Sequence, residues 1–252
     1  MADREGDDHR HQDGFAGGQF GGDHDHDYGR NDGWDHDHDH DHDHDHDHDH
    51  HHHHHEHVCF MADTSIGTAA GDVAVQDLKI GDLVRTHDGR CVPVRWIGRQ
   101  IVSRRFNDKL GLPVRIKAGA LSENVPCRDL LVSPSHALLV DGVLIQAGAL
   151  VNGTSILHEG NVPEIFTYYH VEVDDHSLIL AEGTPAETFI DNVDRANFDN
   201  WSEYLALYPE GKAVAEMTYP RAKAFRQVPS DTRRILAERG ARLFGKRLAG
   251  AA

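Results

Sequence analysis

The sequence predicts an all-β domain set between a polar leader and a short helical tail. Three observations carry that prediction. Residues 1–58 contain almost nothing to bury. From Cys59 to about residue 191 the chain runs in short alternating apolar stretches, broken by Gly and Asp turn pairs. After residue 191 the apolar spacing changes to a helical period. The expected units are therefore 1–58, 59–191 and 192–252.

The leader is dominated by Asp, His and Gly. Asp and His alternate strictly from Asp35 to His50, and His50 to His55 is an unbroken run. With so few apolar groups the segment has no means of offsetting its ordering entropy, so it is expected to be disordered. Neutral imidazoles beside carboxylates are good ligands for Zn²⁺ or Ni²⁺. The candidates are His36, His38, His40, His42, His44, His46, His48, His50, His52 and His54. Many ligands on a flexible chain give multidentate but unselective binding, and a solvated polar tail is the plainer reading. An expression tag fits less well, because the histidine run continues a longer repeat.

Charge follows the same division. Of 42 acidic and 25 basic residues, 18 and 3 lie in residues 1–58, a net of −15 there and −2 in the rest. The acidity belongs to the leader and says little about partners of the folded part. Basic residues do not cluster with aromatics, which argues against a nucleic-acid footprint. Cys59, Cys91 and Cys127 are odd in number and widely spaced, which disfavours a thiolate zinc site and a disulfide framework. Cys91 and Cys127 read as small buried hydrophobes. No apolar run has membrane-spanning length, and the N-terminus lacks an apolar signal core. Those features suit a cytoplasmic protein, or one exported without a classical signal peptide.

Taken in order, residues 64–68 read as a strand, Gly71-Asp72 as a turn, and 73–75 as the next strand. Asp88-Gly89 should turn 83–86 into a long β run over 91–102. Strands follow at 114–116, 130–132 and 137–140, the last two flanking Ser133-Pro134-Ser135-His136. Asp141-Gly142 should make a second hairpin into 143–146, and 166–173 should pair with 177–181 around Asp174-Asp175. In the tail, Phe198, Trp201, Leu205 and Tyr208 are helically spaced. A second helix is expected over 231–248, capped by Ser230, with Ile235, Leu236, Leu243, Phe244 and Leu248 on its apolar side. It is rich in arginine. Packing on the β domain is the plainer reading, and binding to a membrane surface, a partner or the acidic leader is the sharper one.

A cysteine at the border of leader and domain is chemically informative. Its thiol can attack the carbonyl of the residue before it, turning an amide into a thioester. For a relaxed peptide that step is uphill, so a histidine must assist the departing nitrogen and a hydroxyl or backbone donor must help. Ser133 and His136 supply both groups in one loop. Alone, such a loop is ordinary turn chemistry with Ser as a local cap.

Cys59-Phe60, Thr64…Ile66…Thr68…Gly71, Leu78…Gly81-Asp82-Leu83-Val84, Ser133-x-x-His136, Tyr169-His170 and Val173-Asp174-Asp175-His176…Leu180-Ala181-Glu182-Gly183 together resemble the Hint domain of hedgehog autoprocessing domains and inteins. The stretches 93–99 and 128–138 are similar to the bacterial intein-like branch. The resemblance implies a horseshoe-like all-β fold with Cys59 as nucleophile, and it places the family's Thr-x-x-His on Ser133 and His136. It also makes His170 and His176 candidate catalytic residues. Splicing inteins end in His-Asn, and those positions fall on Glu187 and Thr188, neither of which can cyclise. The implied outcome is an N–S acyl shift at Val58–Cys59 without splicing. The leader is the substrate, and water or an amine is the acceptor nucleophile. No cofactor is required by that chemistry. The alternative is an inert Hint-like scaffold carrying a metal-binding leader. Val58 is β-branched, so attack at its carbonyl should be slow.

Overall fold

The computed structural model of the chain describes residues 58–106, 112–190, 195–210 and 214–245. The predicted disorder of the leader therefore lies outside the described residues, as do all ten candidate histidines, His36 to His54. Among the described residues fifteen strands and two short α-helices form, which is the expected all-β class.

The strands build two antiparallel-dominated sheets. The first contains β1 (Phe60–Met61), β6 (Trp96–Ser103), β7 (Val114–Ile116), β8 (Leu130–Val132), β11 (Ile156–His158) and β12 (Ile165–Glu172), in the order β11-β7-β8-β1-β12-β6. The second contains β2 (Ser65–Thr68), β3 (Gly71–Ala74), β4 (Leu83–Arg85), β5 (Cys91–Pro93), β9 (Ala137–Val140), β10 (Val143–Gln146), β13 (Leu178–Ala181), β14 (Thr184–Glu187) and β15 (Arg221–Ala222). Its order is β15-β10-β9-β14-β13-β2-β4-β5, with β3 paired to β2. The helices are α1 (Trp201–Leu207) and α2 (Ser230–Phe244).

Alternation dictates which faces are buried. In β12 Phe166, Tyr168 and His170 lie toward the interior at every second position, and Val171 and Glu172 are buried as well. Asp141 and Gly142 both take positive φ, 49° and 77°, the geometry a two-residue hairpin between β9 and β10 demands.

Several expectations need correcting. Gly71-Asp72 is not the turn; both residues lie in β3, opposite Thr68 and Gly67. The run over 91–102 is two strands in different sheets. Val94 still donates to the Asp82 carbonyl (2.9 Å), whereas Arg95 already donates to the Glu172 carbonyl (2.7 Å). The predicted pairing of 166–173 with 177–181 is also wrong, because β12 pairs with β6 and β1 while β13 pairs with β14 and β2. The Asp174-Asp175 segment is thus a crossing between sheets. Its acids meet arginines rather than close a hairpin: Asp174 pairs with Arg95 (2.6 Å) and Asp175 with Arg90 (3.0 Å).

The tail packs on the sheets. Phe198 and Tyr204 are buried against Trp96, with ring centroids 5.3 Å away in each case. Burial of each ring contributes about 1.5–3 kcal/mol. Helix α2 buries Thr232, Leu236 and Gly240, one face at a spacing of four. The expected apolar side is met only in part: Leu236 is buried and Phe244 half-buried, whereas Ile235 and Leu243 stay about half exposed. The helix approaches too closely for a larger residue at Gly240: a Cβ there would lie 2.7 Å from Thr154 Oγ1. The expected Ser230 cap is not made either; Pro229 holds the N-cap position and Ser230 opens the helix. No helix among the described residues is long and apolar enough to cross a membrane.

Candidate functional site

The fold brings four of the five predicted site residues together, Cys59, Ser133, His136 and His170. Phe60 pairs with Val132 of β8 on one side and with Tyr169 of β12 on the other. Both pairings are antiparallel, so one step back along the chain sets Cys59 beside Ser133 and opposite His170. The backbone then closes the first contact. The Cys59 amide N–H donates to Ser133 Oγ at 2.8 Å, and the Ser133 N–H donates to the Cys59 carbonyl at 2.9 Å. The hydroxyl thus sits at the nitrogen side of the Val58–Cys59 bond, where a leaving amine would form.

The Cys59 side chain is wholly buried, among Met61, Trp96, Tyr168, Phe189 and Phe198. Burial pushes its thiol far up, with only a small opposing influence from the Val58 backbone. At neutral pH the sulfur carries its proton, and attack requires that a base remove it. Tyr168 shares the site: burial, and then the neighbouring Cys59, push its hydroxyl up as well.

Two buried imidazoles stand beside this cysteine. His136 packs on Phe60 at 4.3 Å and meets His170 edge-on at 5.8 Å. Nε2 of His136 lies 3.1 Å from the Glu187 carbonyl. A carbonyl only accepts, so that nitrogen carries the proton. Burial lowers this ring to about 4, against weaker raising influences from Glu187 and from the Cys59 backbone. His136 is therefore a neutral base whose Nδ1 lone pair has no partner among the described residues. His170 is held well below the ordinary histidine range by burial first, and then by His136, His176 and Arg195. Its ring stacks on Phe198 (6.1 Å, 11°), and its Nδ1 also lacks a partner among the described residues.

The third histidine faces elsewhere. The Met217 N–H donates to His176 Nδ1 at 2.8 Å, which fixes the ring as the neutral Nε2–H form. Nε2 lies 2.7 Å from Glu187 Oε1, a close contact rather than an aligned hydrogen bond. His176 and His136 thus both contact Glu187, the first at its carboxylate and the second at its carbonyl. Burial alone would raise the Glu187 carboxyl, but His176 and the Arg221 guanidinium outweigh it and hold the group ionised. Thr188 is tied to the backbone just before β13: its hydroxyl donates to the Ser177 carbonyl (2.9 Å) and accepts from the Ser177 N–H (3.1 Å).

Sequence reasoning missed the structural use of Glu187, and it missed Arg221 and Met217 altogether. A carboxylate closing an otherwise apolar strand was the available signal, since a buried charge needs a partner. Cys91 and Cys127 are exposed, contrary to expectation; Cys127 Sγ donates to the buried Glu182 carboxylate at 3.5 Å. Polar partners at the surface, rather than a core position, account for that cysteine.

Comparison with known proteins identifies the family. The Hint domain profile matches residues 58–193, a little over half of the chain. Among solved structures, the bacterial intein-like domain from Clostridium thermocellum is similar at 18% identity and a TM-score of 0.39, covering 53% of this chain and 99% of that one. The DnaB intein from Synechocystis sp. PCC 6803 is similar at 14% identity and 0.38, covering 52% and 99%. The MchDnaB-1 intein gives 16% identity and 0.36 over the same shares, 52% and 99%. No curated protein matches. The chain belongs to the Hint domain family, whose fold is that of an autoprocessing-type module.

Proposed function

We propose that the domain cleaves its own chain at Val58–Cys59, releasing residues 1–58 without splicing. The observation that supports this best is the Cys59 N–H to Ser133 Oγ hydrogen bond, beside an imidazole with an unused lone pair. In this reading Cys59 Sγ bonds to the Val58 carbonyl carbon. The thiol proton passes to a buried imidazole nitrogen, on His136 beside the Cys59 backbone or on His170 across the strand pair. The carbon–nitrogen bond then breaks, and the Cys59 nitrogen takes up that proton. The leader is left as a thioester on sulfur. Water or a small amine then displaces the thiol, giving a free or amidated Val58 and a domain that starts at Cys59. A neutral thiol and a neutral imidazole are matched starting partners in an apolar pocket, although charge separation there is costly and the step should be slow. Glu187 and Thr188 stand where splicing would need His and Asn, so the second bond stays intact.

A second reading draws on the apolar surroundings of the same sulfur. In it the domain is an inert scaffold, and the working part is an Asp/His leader that binds Zn²⁺ or Ni²⁺. The two readings differ at Cys59. Incubated with thiol, the full chain should fall from 28.1 kDa to a fragment beginning at Cys59, while Cys59→Ala stays whole. Identical intact masses for both proteins would sink the processing reading and favour the scaffold.

A further inference from the structure

The matched Hint segment ends at residue 193, yet the tail reaches back into the site. Strand β15 runs parallel to β10, with Arg221 opposite Leu144, and the Pro220 carbonyl accepts from the Leu144 N–H at 2.9 Å. That pairing delivers the Arg221 side chain to Glu187. Its Nη1 lies 3.3 Å from Oε2, and its Nη2 also bonds Oε1. Arg221 Nε meets Glu216 at 2.5 Å, which anchors the guanidinium from the solvent side. Four residues earlier the Met217 N–H fixes the His176 ring, which sets His176 Nε2 2.7 Å from the same carboxylate. Glu187 is thereby clamped from two directions, with its side chain 3% exposed.

The clamp matters because Glu187 has a second task. Its own carbonyl accepts from His136 Nε2, and that contact decides which His136 nitrogen bears the proton. We infer that Arg221 is a positioning residue of the processing site: by holding the Glu187 carboxylate it holds the Glu187 carbonyl, and so keeps the lone pair of His136 on Nδ1. The inference rests on the cleavage reading for its consequence, but its geometry can be tested separately. Without the guanidinium, a buried carboxylate keeps only a neutral imidazole. Such a group takes up a proton or turns toward water, and the strand end moves with it.

The test uses the full chain in two forms. In ¹⁵N-histidine NMR of the uncleaved Cys59→Ala protein, His136 should appear as a single Nε2–H tautomer. Adding Arg221→Ala should turn it into a mixture, and Arg221→Lys should retain most of the single form. Arg221→Gln serves the same comparison if Arg221→Ala does not fold. In the Cys59 protein, Arg221→Ala should slow cleavage by about tenfold to a hundredfold. Millimolar methylguanidine should restore part of the rate, which a merely structural role would not allow. A folded Arg221→Ala protein with the His136 tautomer unchanged overturns the inference. A wild-type chain that never cleaves overturns the processing reading instead, and the NMR comparison still decides the role of Arg221.

Discussion

At the scale of single residues the site is a set of groups kept neutral by burial. His136 illustrates the consequence. Unfolded, its imidazole takes up a proton near the ordinary value of 6.5; folded, it refuses one until about 4. Between those values the unfolded state binds more protons, so stability falls as pH drops through the window. The loss from His136 alone is about 2 kcal/mol at pH 5 relative to pH 7. His170, lowered by burial and its neighbours, adds in the same direction. Urea titration of Cys59→Ala at the two pH values should show the drop, and His136→Gln should reduce it. The cleavage rate should likewise stay flat from pH 8 to 6 and fall only near 4, as His136 loses its lone pair. A midpoint near 6.5 would mean the imidazole is not desolvated. The grouping of Cys59, Ser133 and His136 was legible because each heads or closes a motif. The orientation of His176 was not, because nothing in its neighbourhood in sequence announces a backbone N–H from residue 217.

At the scale of elements, register does most of the positioning, and it depends on close packing around β6 and β12. Gly98 sits in β6 opposite His170. A Cβ there would fall 2.7 Å from the Phe198 ring, the ring that also stacks on His170. Gly98→Ala should therefore destabilise the protein by about 1–3 kcal/mol. It should also loosen the wall behind His170, both readable by thermal unfolding and by the His170 ring signals. Many strands were visible in advance, since period-two alternation and Asp-Gly turns are local. What escaped was non-local. The run over 91–102 is locally one strand, and only the Arg95 N–H reaching Glu172 shows that it changes sheets. Glu182-Gly183 makes the same positive-φ turn as Asp141-Gly142, with φ of 48° and 75°, and so produces β14. That turn is not legible in the sequence, because Glu is an uncommon residue in that conformation.

At the scale of the whole molecule, one bond separates two chemistries. Residues 1–58 carry a net of −15 and 18 of the 23 histidines, whereas residues 59–252 are nearly neutral. Cleavage at Val58–Cys59 would part an acidic, histidine-rich segment from a sheet-built domain. The tail belongs structurally to the domain, through Phe198, Tyr204, Met217 and Arg221. In the processing reading the Val58 acyl group passes through sulfur. Hydroxylamine reports on that directly, because it captures a thioester and leaves a relaxed amide alone. Intact-mass analysis of the full chain after hydroxylamine should show residues 1–58 ending in a Val58 hydroxamate, together with a fragment starting at Cys59. A wild-type protein that remains at 28.1 kDa, as Cys59→Ala should, would mean that no thioester forms at Cys59.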